Sequence, residues 1–146
     1  MGSFELQLDI DRPPSVVWSV LSDVSRTPEW YEAVQRVVPV VPAGDGRGPS
    51  YELVRSLPGG KAVNLVEVTE SEPEERFSLT SRSGPTPFTY RYTLTPIPGG
   101  TRLVLDAEIS AAGLPGPLSA LGPVATRLFK NGMRTNLGAL ARMLEQ

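Results

Sequence analysis

The chain holds no histidine and no cysteine. That removes the commonest general base, the Ser-His-Asp triad, thiolate nucleophiles, disulfides and the usual zinc ligands. Proton or nucleophile chemistry is left to carboxylates, tyrosine, lysine and arginine. Arg55 alternates with Tyr51, Leu53 and Leu57, so if Tyr51 and Leu53 point inward, Arg55 does too. A buried guanidinium needs a carboxylate or an anionic ligand to offset its desolvation. Arg55 is therefore either an edge-exposed or ion-paired structural residue, or an anchor for a ligand carboxylate, enolate or phenolate, which a preorganised positive charge stabilises. Tyr90 and Tyr92 share a face with Phe88 and Leu94; they read as amphipathic core or as hydroxyl donors to a ligand. With an unperturbed pKa of ~10, tyrosine is a poor base near neutrality. Arg55, Tyr90 and Tyr92 are the only catalytic candidates, and no catalytic assignment is fixed. Asn64, alternating with Val66 and Val68, is a further polar candidate, and Trp30 is expected to pack at the mouth of a cavity, where a ligand would touch it. The acidic run Glu70, Glu72, Glu74 and Glu75 lacks a closed ligand set, so no metal site is expected.

The elements that must position these residues are legible from periodicity. Phe4, Leu6, Leu8 and Ile10 alternate with Glu5, Gln7, Asp9 and Asp11, the period of a half-buried strand. Pro13 and Pro14 stop it and suit the first turn of a helix carrying Val17, Trp18, Val20 and Leu21. A second short helical turn is expected over Arg26–Tyr31. Six more strands follow, over Val34–Val41, Ser50–Leu57, Lys61–Ser71, Arg76–Arg82, Phe88–Pro96 and Thr101–Ser110. Short Pro- and Gly-rich turns separate most of them, which implies antiparallel neighbours. A longer glycine-bearing loop, Ala43–Pro49, reads as a turn and follows neither the Rossmann nor the P-loop pattern. Beyond the Gly113–Pro117 loop the chain is helical from about Leu118 to Glu145, with Pro123 as a kink or as the start of the main segment.

At about 100° per residue, Leu121, Ala125, Leu128, Phe129, Gly132, Met133, Leu140 and Met143 gather on one face of that helix. Arg127, Lys130, Arg134 and Glu145 lie opposite, as a solvated face. Ala125 and Gly132 are small, so the helix either approaches the sheet closely or leaves a gap. Asn136 lies near the centre of the apolar face. It must bond a strand end or buried water, or offer its amide to a ligand, because an unpaired buried amide costs about 1–3 kcal/mol.

A chain of 146 residues is most simply one domain, residues 1–146, with enough length for a real core. Hydrophobic residues make up 40%, and 14 glycines bring the apolar share to about half, as in globular proteins. A net charge of −2 argues against a nucleic-acid partner. No stretch approaches the ~20 apolar residues of a membrane span. No signal-peptide pattern opens the chain, and Leu6 stands where a myristoylation signal needs Ser or Thr. A cytoplasmic location is the expectation.

Five pieces carry a family resemblance. They are Pro14-x-x-Val17-Trp18-x-x-Leu21-x-Asp23, Pro28-Glu29-Trp30, Val68-x-Glu70-x-x-Pro73, Gly99-Gly100-Thr101-Arg102-Leu103 and Asn136-Leu137-x-x-Leu140-x-x-x-Leu144-Glu145. In that order and spacing the chain resembles the polyketide cyclase/dehydrase and lipid-transport group of the START-like (SRPBCC) superfamily, which includes Bet v 1-type proteins. The resemblance implies an α+β helix-grip fold: a seven-stranded antiparallel sheet curved around a long C-terminal helix, with two short helices after the first strand. It also implies a cavity for a small hydrophobic molecule such as a polyketide, lipid, sterol or quinone, with no cofactor. Trp30, Tyr51, Arg55, Asn64, Tyr90, Tyr92, Leu128, Gly132 and Asn136 are the expected ligand-binding residues. Members of such a family cyclise polyketides, carry or sense ligands, or regulate protein partners, so the fold does not settle the function. If this chain is an enzyme, the expected reaction is an aldol-type cyclisation or dehydration, with Arg55 steadying an enolate and Tyr90 or Tyr92 relaying a proton. Dimers are common among similar proteins, so a homodimer is a further expectation. The histidine that catalytic members often place in the cavity is missing here.

Overall fold

A computed structural model describes residues 2–40, 48–57, 60–110 and 122–146. Most of the Ala43–Pro49 loop, the Pro58-Gly59 reversal, the Gly113–Pro117 loop and the expected start of the last helix lie outside the described residues.

Seven strands form one antiparallel sheet: β1 (Gly2–Ile10), β2 (Val34–Val40), β3 (Ser50–Leu57), β4 (Gly60–Glu72), β5 (Arg76–Ser83), β6 (Phe88–Ile97) and β7 (Gly100–Ile109). Their order is β1-β7-β6-β5-β4-β3-β2. The first strand thus pairs with the last, Leu6 opposite Leu105, and the sheet's two edges are the two strands that flank the first helical segment. That segment, α1 (Pro14–Leu21) followed by a 3-10 helix (Val24–Glu29), carries the chain from one edge to the other and closes one end of the sheet. Pro14 takes the first helical position, where its missing N–H costs nothing. The 3-10 helix starts at Asp23, whose carboxylate accepts the Ser25 N–H at 3.2 Å. Register shifts at Val34/Arg36 in β2 and at Leu65/Val66 and Val68/Glu70 in β4 interrupt the ladders. Such bulges bend a strand and increase its twist, and they curve the sheet where it must wrap.

The strand alternation places Phe4, Leu6, Ile10, Phe88, Tyr90, Tyr92, Leu94, Leu103, Leu105 and Ile109 in the core, while Asp106 and Glu108 face out. Trp18 of α1 meets Phe77 of β5 edge-on, ring centroids 5.8 Å apart.

The long helix, α2 (Gly122–Glu145), packs chiefly along β1. Its buried stripe is Met133, Asn136, Leu137, Leu140 and Leu144. This corrects the helical-wheel expectation in one respect. Leu128 is 61% exposed and Gly132 is exposed as well, so both lie on the flank of the buried stripe rather than at its centre. Leu137 and Leu144, on the opposite flank, take their place against the sheet.

Candidate functional site

The flank that carries Leu128 and Gly132 faces a gap. A Cβ added at Gly132 would meet nothing within 4 Å. Here α2 stands away from the sheet and leaves an open cleft of about 500 Å³. Leu128, Phe129, Gly132, Met133 and Asn136 form its helix wall; Tyr31, Ala33, Gln35 and Arg55 form the wall across from it. The space expected between sheet and helix is thus mostly a cleft open to solvent. Deeper in the grip, among the described residues, lies a void of about 20 Å³ bordered by Leu21, Trp30, Tyr31, Arg55, Tyr90 and Tyr92. That is room for one water-sized group. Tyr31 and Arg55 border both spaces.

Arg55 is the largest fully buried side chain, 2% exposed, and among the described residues no carboxylate pairs with it. Neutral acceptors hold it instead. Asn64 Oδ1 accepts from Arg55 Nε at 2.9 Å and from Nη2 at 2.6 Å. Nη2 also reaches the Pro85 carbonyl at 2.9 Å and the Thr86 hydroxyl. The guanidinium lies 5.7 Å from the centroid of the Phe88 ring, a cation–π contact. Arginine only donates, so Asn64 must turn its oxygen to Arg55 and its amide away; Nδ2 donates to Ser81 Oγ at 3.0 Å and to Pro85 O at 2.8 Å.

The β5–β6 turn is bent to serve this arrangement. Gly84 has φ +92°, and a Cβ there would collide with the Val63 carbonyl oxygen. Thr86, β-branched and fully buried, has φ +50°. Left-handed backbone at such a residue is unfavourable and persists only when its surroundings enforce it. Here they are the contacts to Arg55.

Tyr90 and Tyr92 are each 2% exposed. Tyr90 stacks on Phe88 at 4.4 Å between centroids, and its hydroxyl lies 3.5 Å from that of Tyr31. Burial pushes both hydroxyls well above the usual tyrosine range, with Tyr31 adding to the shift. Both therefore stay protonated near neutrality and serve as donors rather than bases. The same shift makes alkaline stability a test of their burial. Below pH ~10 tyrosine is neutral in both folded and unfolded chains; above it the unfolded chain loses protons that the folded chain keeps. Stability should then fall as pH rises, by up to about 1.4 kcal/mol per pH unit for each tyrosine. Urea midpoints between pH 9 and 11 should decline in the wild type and flatten in Tyr90→Phe/Tyr92→Phe.

The other expected residues divide. Trp30 is 6% exposed and lines the inner void rather than the mouth; its Nε1 is buried with no hydrogen-bond partner among the described residues. Asn136 accepts the Glu32 N–H at 3.2 Å and so ties α2 to the turn that leads into β2, while its amide sits 3.6 Å from Met133 Sδ. Asn64 is fully buried behind Arg55, and Tyr51 packs against the core without lining either space. Sequence reasoning did not single out Tyr31, Ser81 or Thr86. Tyr31 had one signal, its place beside Trp30 at the end of the short helices. For Thr86 the Gly-Pro-Thr-Pro run marked a turn, though nothing in it disclosed an inward-facing hydroxyl.

Comparison with known proteins agrees with this architecture. The family model for polyketide cyclase / dehydrase and lipid transport matches residues 1–145. The uncharacterized protein Rv1546 of Mycobacterium tuberculosis is 28% identical over 144 residues, covering 98% of this chain and 99% of its own. A START superfamily protein from Mycobacterium smegmatis superposes with a TM-score of 0.81 at 20% identity, covering 99% of this chain and 97% of that one. The protein TTHA0849 of Thermus thermophilus gives the same TM-score and identity over 98% and 97% of the two chains. With a family match along almost its whole length and the seven-stranded helix-grip fold, the chain belongs to the polyketide cyclase/dehydrase and lipid transport family.

Proposed function

We propose that this protein binds a small hydrophobic, ring-containing molecule in the cleft between α2 and the β2–β3 side of the sheet. Family and fold both favour a hydrophobic ligand. The observation that carries the reading is the gap opposite Gly132, bordered by Phe129, Met133 and Ala33. Its 500 Å³ falls within the range of small-molecule pockets. Native mass spectrometry of the freshly purified protein, followed by denaturing extraction, tests for a retained apolar mass. Gly132→Leu tests the location. A leucine at this exposed helical position has the better helix propensity, so folding stability should hold or rise by up to about 1 kcal/mol. Its side chain would occupy the cleft, and fluorescence titration with N-phenyl-1-naphthylamine should show binding weakened about tenfold or more. Equal binding by both proteins would move the ligand elsewhere.

Arg55 favours a second reading, in which the bound molecule is also turned over. A polyketide-like substrate cyclising by aldol chemistry develops enolate charge, and a buried guanidinium beside the cleft would stabilise it. Tyr90 and Tyr92 would donate hydrogen bonds to that oxygen. On this reading Arg55→Met lowers kcat more than it raises KM; a change confined to KM leaves binding alone.

A further inference from the structure

Set among the largely apolar walls of the inner void are hydrogen-bond donors and one cation. Arg55 spends its Nε and Nη2 on the neutral acceptors of Asn64, Pro85 and Thr86. Trp30 lines the same void, and its Nε1 is a buried donor without a partner among the described residues. Tyr90 and Tyr92 border the same space, and their hydroxyls stay protonated. Among the described residues no carboxylate side chain lines the void. Buried donors left unpaired are costly, and a buried cation without a counter-ion is more so. Both costs fall if an acceptor that carries negative charge enters.

We propose that the ligand is an acid whose delocalised oxyanion, a carboxylate or an enolate, seats between Arg55 and Trp30 while its rings occupy the outer cleft. The inference rests on the binding function proposed above and adds the polarity and orientation of the ligand. The sizes agree: the void admits one oxygen of the acid, the rest of the group lies toward the cleft along Arg55, and the cleft admits a ring system. Tyr31, which borders both spaces and lies 3.5 Å from Tyr90 through its hydroxyl, is the side chain the acid must pass.

A matched pair of probes tests this. The ions of 2-naphthoic acid present a carboxylate, and 2-acetonaphthone presents a neutral ketone of nearly the same shape. Calorimetric titration of the wild type at pH 7.5 should give naphthoate at least about tenfold the affinity of the ketone, the range of one charge-assisted hydrogen bond. In Arg55→Met that preference should fall to about twofold or less, with ketone affinity retained. Trp30→Phe leaves Arg55 and its acceptors untouched, and it should weaken naphthoate by about threefold or more. It keeps the proposal testable if Arg55→Met does not fold. Equal affinities for the two probes in the wild type would overturn the acid and leave the binding function standing. Binding of neither probe at millimolar concentration would overturn both. A preference for naphthoate that survives in Arg55→Met, or naphthoate affinity unchanged in Trp30→Phe, would remove the oxyanion from this void.

Discussion

Asn64→Leu should be among the most damaging single substitutions in the molecule, costing about 3–5 kcal/mol of folding free energy. Asn64 is fully buried and supplies the acceptor for two of the Arg55 hydrogen bonds. Leucine removes the acceptor and leaves the charge. Little compensation remains, because Arg55 is 2% exposed and its other acceptors, Pro85 O and Thr86 Oγ1, share the single nitrogen Nη2. Arg55→Met removes the charge itself and leaves neutral acceptors unsatisfied, at about 1–3 kcal/mol. The double variant Arg55→Met/Asn64→Leu should therefore be more stable than Asn64→Leu alone, although it carries one more substitution. Urea unfolding of the four proteins closes the cycle. Additive losses, or a milder effect in Asn64→Leu than in Arg55→Met, would show that Asn64 does not hold the charge.

The cycle bears on how the site could be read from residues alone. The inward direction of Arg55 followed from its alternation with Leu53, because the period of a strand is fixed by its pleat. Its link to Asn64 followed from register: Leu57 opposite Gly60 sets Leu53 opposite Asn64 and Arg55 opposite Ala62. A tight reversal at Pro58–Gly60 was legible, so the diagonal between Arg55 and Asn64 was within reach of the sequence. The β5–β6 turn was not. Its contribution depends on left-handed backbone at a threonine, a conformation tertiary contacts impose against local preference. Sheet curvature was hidden for a related reason, since bulges at Val34/Arg36 and along β4 leave the hydrophobic alternation almost intact while they change the strand's direction. The fold itself was legible because strand order, turn chemistry and the terminal amphipathic helix all agree. The size of the interior was not, because it depends on how far Trp30, Tyr31, Tyr90 and Tyr92 fill the grip.

The helix supplies the sharpest contrast, and Leu140→Ala against Leu128→Ala measures it. A helical wheel places both leucines on one apolar face, and hydropathy alone would give them equal weight. In the structure Leu140 is 0% exposed and Leu128 is 61% exposed. Truncating Leu140 opens a cavity between α2 and the sheet, in a stripe where Met133 and Leu137 are each 1% exposed and cannot collapse inward without dragging the helix. The expected loss is about 2–5 kcal/mol. Leu128→Ala removes a side chain that water already reaches and should change stability by no more than about 0.5 kcal/mol. It should instead weaken N-phenyl-1-naphthylamine binding, because Leu128 borders the cleft. One helix face would then divide into two jobs, with its centre holding the sheet and its flank holding the ligand. Comparable losses of stability from the two substitutions would mean that Leu128 is packed in solution, that the cleft is closed, and that the binding site must be sought on another surface.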